Sequence, residues 1–343
     1  MKVLLLRDSA NGYGAEGHFA RLAIGLCQKG WEVHAASPHA NPDRFPTSIE
    51  KAGATVHRYG ASKERQTEKT VIAAKGKVPA LFQAIRSIDR ALGKPAYRTV
   101  YLVRWLEGFW KQFRQMRTLL RHIKPDVVHL TFGGLCEGEG FVCACAFQGI
   151  PTSVTFQLAP EAILKPWLLR KLLNRARKKQ QYVAVSSQNR QAIATTFLLP
   201  EQAIDVVLNG AVIIDSPTTQ IQRNEKRNAI RQSLSIETQT QLILSTAQLE
   251  PRKGTREWLD LIRRFKDQPV HFIWTGDGPD MDLLSSALQA ENLEHRATLL
   301  GYRSDLPDLF AAADLFLHPS HAEGGCSSAI REAMTSGLPM IAT

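Results

Sequence analysis

Apolar residues along this chain follow two alternating patterns: short continuous runs rich in Val, Ile and Leu, and longer stretches in which they return every three or four positions. Short runs bounded by turn residues read as buried strands, and the longer periodicity reads as helices packed on them. The chain opens with such a run at 2–7, passes a glycine turn, continues helically over 18–30 and returns to a strand at 32–36. Further strands are predicted at 127–130, 152–156, 182–185 and 205–208, with helical patterns between most of them. A parallel sheet with crossover helices follows from this order. Residues 211–238 break the alternation with the polar stretch Ser216-Pro217-Thr218-Thr219-Gln220 and a charged helix over 222–234. It then restarts, with strands predicted at 242–246, 271–275, 297–300, 315–318 and 339–342. The expectation is an α/β protein with a first doubly wound domain over 1–210, a linker and connecting helix over 211–238, and a second such domain over 239–343.

The helical stretch 97–124 has a second feature. At about 100° per residue, Leu102, Trp105, Leu106, Phe109, Phe113, Met116, Leu120 and Ile123 fall on one stripe, while Arg104, Lys111, Arg114, Arg117 and Arg121 lie off it. Trp110 falls among the arginines, where a core residue does not belong. Two readings stay open: a helix packed on the sheet with a solvated basic back, or a basic aromatic face that meets anionic lipid or a lipid-linked acceptor.

Charge sharpens that choice. The net charge is +11, and residues 61–125 alone hold 15 Lys or Arg against 4 Asp or Glu, the excess of the whole chain. A second run, 165–179, holds seven basic residues and no acid. Polyanions are therefore candidate partners. The basic stretch carries no zinc-finger spacing or RNP motif, so nucleic acid is not expected. Five cysteines without a C-x-x-C pair fit neither a disulfide framework nor a zinc site. The apolar run near the N-terminus is too short for a signal-peptide core, and no later stretch reaches the ~18 residues of a membrane span. The expected location is the cytoplasm, with at most peripheral contact at the inner face of a membrane through 61–125.

Gly12-Tyr13-Gly14-Ala15-Glu16-Gly17 fits G-x-G-x-x-G between a strand and a helix. A dinucleotide site would add an acidic residue at the end of the second strand, but that strand ends Ala35-Ala36-Ser37-Pro38. What remains is a turn whose backbone can approach a ligand closely, or a tight turn with none. In the second half, Thr246-Ala247-Gln248-Leu249-Glu250-Pro251-Arg252-Lys253-Gly254, Thr275-Gly276-Asp277-Gly278-Pro279 and the block from Pro319 to Met334 each follow a predicted strand. Open α/β sheets bind ligands at such carboxyl ends.

With these blocks in this order, together with Pro125-Asp126-Val127-Val128-His129, Ala184-Val185-Ser186-Ser187 and Asn209-Gly210, the sequence resembles the retaining glycosyltransferases of family 4. The resemblance implies a GT-B fold, two Rossmann-like parallel-sheet domains facing a cleft. It also implies transfer of a sugar from a nucleotide sugar to a sugar, glycan or lipid-linked acceptor with retention at the anomeric carbon. Lys253 would neutralise the donor diphosphate, backbone amides near Ser327 would cradle it, Glu323 would face the donor sugar and Glu332 the ribose. Gln248, Gly276, Gly324, Gly325, Cys326 and Ser328 would complete the donor side, while Gly12, Gly14, Gly17, His18, Gln157 and Asn209 would serve the acceptor or the donor phosphates. No cofactor or metal is implied.

The pattern departs from the family's at three points. Gln248 stands where an arginine is usual, Gln157 where a histidine is usual, and eight residues rather than seven separate Glu323 from Glu332. The extra residue is assigned to Gly324-Gly325. The family continues beyond the strand at 339–342, so the second sheet is expected to be incomplete, with an uncovered edge there. Two other readings remain: a transferase relative that binds sugar nucleotide without turnover, and a UDP-sugar epimerase or phosphorylase of the same architecture.

Overall fold

The computed structural model describes residues 1–8, 13–38, 46–59, 95–135, 138–159, 161–162, 171, 173, 179–210, 220–303, 305–323 and 325–343, with backbone alone for 13–16, 46–47 and 95–104. Gly12, Gly324, the basic run before residue 95 and most of the run 165–179 lie outside the described residues. The chain divides into two compact units, Met1–Val207 and Leu208–Thr343.

In the first unit, β1 (Lys2–Arg7), α1 (Tyr13–Gln28), β2 (Glu32–Pro38), α2 (Pro46–Lys51) and β3 (Thr55–Tyr59) precede the long helix α3 (Pro95–Ile123). Then come β4 (Val127–Gly134), α4 (Glu139–Phe147), β5 (Thr152–Leu158), β6 (Gln180–Ala184), α5 (Ser187–Phe197) and β7 (Ile204–Val206). The strands pair in parallel in the order β3-β2-β1-β4-β5-β6-β7. Alternate residues of each strand feed opposite layers, as the two-residue repeat requires. Leu4, Leu6, Val128, Leu130 and Phe132 join Met116, Leu119, Leu120 and Ile123 of α3 and Phe141 of α4, whereas Val3, Leu5, Val33 and Ala35 pack on Phe19 and Ala23 of α1. The predicted stripe on α3 needs one correction: Leu106 is 39% exposed, and Leu119 takes a core place instead. Leu119 joins Met116, Leu120 and Ile123 in the core shared with the sheet, while Trp105, Phe109 and Phe113 are only partly buried against it.

The second unit contains α6 (Gln220–Ser233), β8 (Gln241–Thr246), α7 (Thr255–Arg264), β9 (Val270–Thr275) and α8 (Met281–Ala290). It continues through β10 (Ala297–Gly301), α9 (Leu306–Ala312), β11 (Leu315–His318), α10 (Ser328–Thr335) and β12 (Met340–Ala342). Its parallel sheet runs β10-β9-β8-β11-β12. Trp258, Phe272, Trp274 and Leu284 fill one side of it, and Leu242, Leu244, Phe310 and Phe316 the other. The edge strand β12 leaves Ile341 56% exposed.

The connecting helix expected in a separate linker belongs to this second unit. Arg227 and Arg231 of α6 each reach a different oxygen of Asp314 at 2.6 Å, and the same carboxylate accepts from Leu242 N of β8 at 2.8 Å. One acid thus ties the helix to the sheet, and the division falls before residue 208 rather than after 210.

Candidate functional site

Three loops leave the carboxyl ends of β8, β9 and β11, and two glycines bring them together. Gly254 has φ +76°, and a Cβ there would stand 1.8 Å from the carbonyl oxygen of Pro319. Gly276 has φ +133°, and its Cβ would stand 2.0 Å from the carbonyl oxygen of Ala247. Both positions need glycine for backbone conformation and for space. Hydrogen bonds close the contact: His321 N to Arg252 O at 2.9 Å, Arg252 Nη1 to Ala322 O at 2.7 Å, and Leu249 N to Asp277 O at 3.0 Å.

This stitching sets Lys253 against Glu323. The ammonium of Lys253, 12% exposed, donates to Glu323 Oε1, which also takes Ser320 Oγ at 2.8 Å and lies 3.0 Å from His318 Nε2. Arg252 Nη1 stands 3.8 Å from the other oxygen, Oε2, while its Nη2 holds Glu250. Burial pushes the Glu323 carboxyl up, but the His318 hydrogen bond, the Lys253 charge and hydrogen bond, and the Ser320 hydroxyl together outweigh it and hold the group at about 2. Glu323 is therefore a fixed anion with one oxygen saturated and the other able to accept.

Among the other predicted donor-side residues, Gln248 is half-buried, its carbonyl accepting from Glu250 N at 3.0 Å, and Gly276 is packed against it through Ala247. Gly325 is half-buried and Cys326 exposed. Ser327 precedes α10 without a side-chain capping bond, and Ser328 opens the helix. Arg331, nearly buried, holds the Cys326 carbonyl and so fixes the end of this loop. Glu332 lies half-buried on the second turn of α10.

The first-unit residues do not gather in this way among the described residues. Gly14, Gly17 and His18 lie within α1, and among the described residues a Cβ at Gly17 would meet only the tip of Arg21 at 3.0 Å, so none of them demands glycine there. Gln157 lies near the carboxyl end of β5, and Asn209 falls past the division, in the second unit. His129 on β4 has a buried Nε2 with no hydrogen bond among the described residues; burial, then the charge on His18, pull its pKa down to about 4. It is a neutral imidazole at physiological pH.

His318 and Arg252 are the site residues that pattern reading leaves without a role. His318 reads as the last position of a strand, and only the turn at Pro319 and Ser320, which carries Glu323 back over the strand end, brings the two side chains together. No cluster of three or more His, Cys, Asp or Glu side chains able to hold a metal occurs among the described residues.

Residues 13–210 match the family of the glycosyl transferase 4-like domain, and residues 226–343 match the glycosyl transferases group 1. Over 71 residues the chain is 44% identical to the UDP-Gal:alpha-D-GlcNAc-diphosphoundecaprenol alpha-1,3-galactosyltransferase of Escherichia coli, a match spanning 20% of this chain and only 18% of that relative's length. Among solved structures, HepE of Anabaena in complex with UDP and glucose superposes with a TM-score of 0.67 at 19% identity, covering 100% of this chain and 80% of that one. A glycosyltransferase from Rickettsia africae gives a TM-score of 0.68 at 15% identity over 99% of this chain and 79% of the other. At these identities the likeness establishes the fold, the GT-B architecture of two Rossmann-like parallel-sheet domains.

Proposed function

This chain belongs to the glycosyl transferase 4-like family, and on that premise we propose that it transfers a sugar from a nucleotide-sugar donor to an acceptor hydroxyl, with retention at the anomeric carbon. The observation that carries the reading is the Lys253–Glu323 pair at the meeting of the β8 and β11 loops. In the transfer, the bond from the anomeric carbon to the diphosphate oxygen breaks, and the diphosphate leaves with the electron pair. The acceptor oxygen bonds that carbon and passes its proton to the departing diphosphate oxygen. Charge grows on the leaving group, so a fixed cation beside it lowers the barrier.

Lys253 is assigned that task. Its ammonium has three donors, so it can keep Glu323 and still meet a phosphate oxygen. Glu323, saturated on Oε1, receives a hydroxyl of the donor sugar on Oε2. The amides opening α10 at Ser328 meet the diphosphate, with Gly325, Cys326 and Ser327 shaping the approach, and Glu332 takes the ribose. On the acceptor side, the Gly14–His18 turn of α1, Gln157 and Asn209 are assigned to the acceptor or the phosphates. The Anabaena structure holds UDP and the Escherichia coli relative is named for UDP-Gal, so UDP-sugars are the first donors to try.

The test is product analysis. The chain is incubated with UDP-glucose or UDP-galactose and a panel of sugar and lipid-linked acceptors, and products are read by NMR. An α-linked product from an α-linked donor is expected. A β-linked product would refute retention. Conversion of the sugar nucleotide without acceptor would make the protein an epimerase, and nucleotide binding with no product under any acceptor would refute transfer.

A further inference from the structure

We propose that the exposed aromatic and basic face of α3, completed by Phe147 at the end of α4, is a docking surface for the anionic headgroup layer of a phospholipid bilayer. Trp110 is 52% exposed and Phe147 72%, and they are not scattered. Phe113 lies between them, its ring centroid 5.5 Å from Trp110 and 6.1 Å from Phe147, so one aromatic strip crosses two helices. The guanidinium of Arg117 sits 5.4 Å over the ring of Phe147 and 5.9 Å over that of Phe113, within cation–π range. Beside the strip, Leu106, Glu107, Trp110, Lys111, Arg114 and Gln115 line a groove of about 750 Å³.

Charge selects the occupant. Between residues 105 and 123, α3 carries Lys111, Arg114, Arg117 and Arg121 against the single acid Glu107. Lys111, Arg114 and Arg121 have no carboxylate partner among the described residues. A merely solvated helix back carries mixed charges and no tryptophan, whereas rings with a polar or cationic neighbour suit the boundary between headgroups and acyl chains. An anionic bilayer offers both halves of the match: phosphates for the four cations and an apolar layer for Trp110 and Phe147. No described helix is long and apolar enough to cross a membrane, so the contact would be peripheral.

The face also connects inward. Gln112, on the same stretch of α3, donates to Asp8 Oδ2 at 2.9 Å and accepts from Gly140 N at 3.2 Å, and Asp8 follows the carboxyl end of β1. If the transferase reading holds, docking brings the end of β1 at Asp8 toward a bilayer that carries a lipid-linked acceptor. The docking itself does not depend on that reading.

Vesicle flotation tests it. The full chain is mixed with neutral phosphatidylcholine vesicles or with vesicles containing 30% phosphatidylglycerol, at low and high salt. Binding to the anionic vesicles alone is expected, weakening as the Debye length falls from ~10 Å at 0.1 M to ~3 Å at 1 M salt. Arg114→Glu with Arg121→Glu should lower partitioning by roughly 25-fold or more, at about a fivefold loss per basic residue. Trp110→Ala with Phe147→Ala should lower it without changing the salt slope. These positions are solvent-facing, so circular dichroism and UDP titration should be unaltered in both variants. Equal binding to neutral vesicles, no binding at low salt, unchanged binding by the variants, or displacement by a single-stranded RNA oligomer at lower concentration than by anionic lipid would each overturn the proposal.

Discussion

Basic side chains are used in opposite ways in two regions of the molecule. In the second unit six of them are matched to acids: Arg227 and Arg231 to Asp314, Lys226 to Asp308, Arg263 to Glu291, Arg303 to Asp305 and Lys253 to Glu323. On α3 of the first unit, Lys111, Arg114 and Arg121 face outward without such partners, in the company of exposed rings. Matched charges in a stitched set of loops make a site whose geometry exists before the ligand arrives, and preorganised dipoles and charges are what stabilise a developing anion. Unmatched charges on a helix make a surface whose strength depends on salt and on what meets it. On the two proposals made above, the difference separates a site for chemistry from a surface for attachment.

The largest effect expected from breaking this contrast comes from Glu323→Gln. The amide keeps the shape but removes the anion, so turnover of a UDP-sugar should fall by about 10²–10³-fold. UDP itself should bind no more weakly, since Lys253 is released from its partner. Steady-state kinetics and calorimetry separate the two quantities, and a loss of UDP affinity matching the loss of turnover would make Glu323 a structural support only.

Next in size is the stitching. Gly254→Ala forces a Cβ onto the Pro319 carbonyl in a left-handed conformation and should destabilise the protein by about 1–3 kcal/mol in urea unfolding. Gly17→Ala, inside α1 with only the Arg21 tip nearby among the described residues, should change stability by no more than ~1 kcal/mol, in the stabilising direction. If Gly17→Ala nonetheless abolishes transfer, the glycine serves a ligand rather than the fold.

The alternation of strands and helices was readable in the sequence where a strand carries an apolar-rich buried run, as in Lys2–Arg7, Val270–Thr275 and Leu315–His318. The strand Thr55–Tyr59 escaped because it lies at the sheet edge and carries His57 and Arg58. The connecting helix looked like a linker because its residues are mostly polar, and only Asp314, over eighty residues away, reveals what Arg231 is for. Lys253 and Glu323 could be singled out by motif, but their contact could not, since it depends on Gly254 meeting Pro319 across sixty-five positions. His318 was hidden for the same reason.

A smaller effect follows from His318. It bears on Glu323 as a positioning residue, and His318→Ala should lower turnover by about tenfold with a lesser change in the donor KM. The hydrogen bond it supplies lowers the Glu323 pKa, so its loss should move the acid limb of kcat/KM upward from about 2 toward the ordinary carboxylate range. In the wild type the lowered pKa contributes stability above that range, and this contribution is lost as pH falls toward 2. An unmoved acid limb would leave His318 a packing residue. His318→Gln, which can still donate, should restore most of the activity.

The most direct test of the donor site is the affinity of UDP and of UDP-glucose for the wild type and for Lys253→Ala, measured by isothermal titration at one salt concentration. Losing a hydrogen bond to a charged group costs ~1.5–3 kcal/mol, so both ligands should bind roughly 10- to 150-fold more weakly to the variant. Equal affinities in a variant whose unfolding transition is intact would put the diphosphate away from Lys253 and contradict the account.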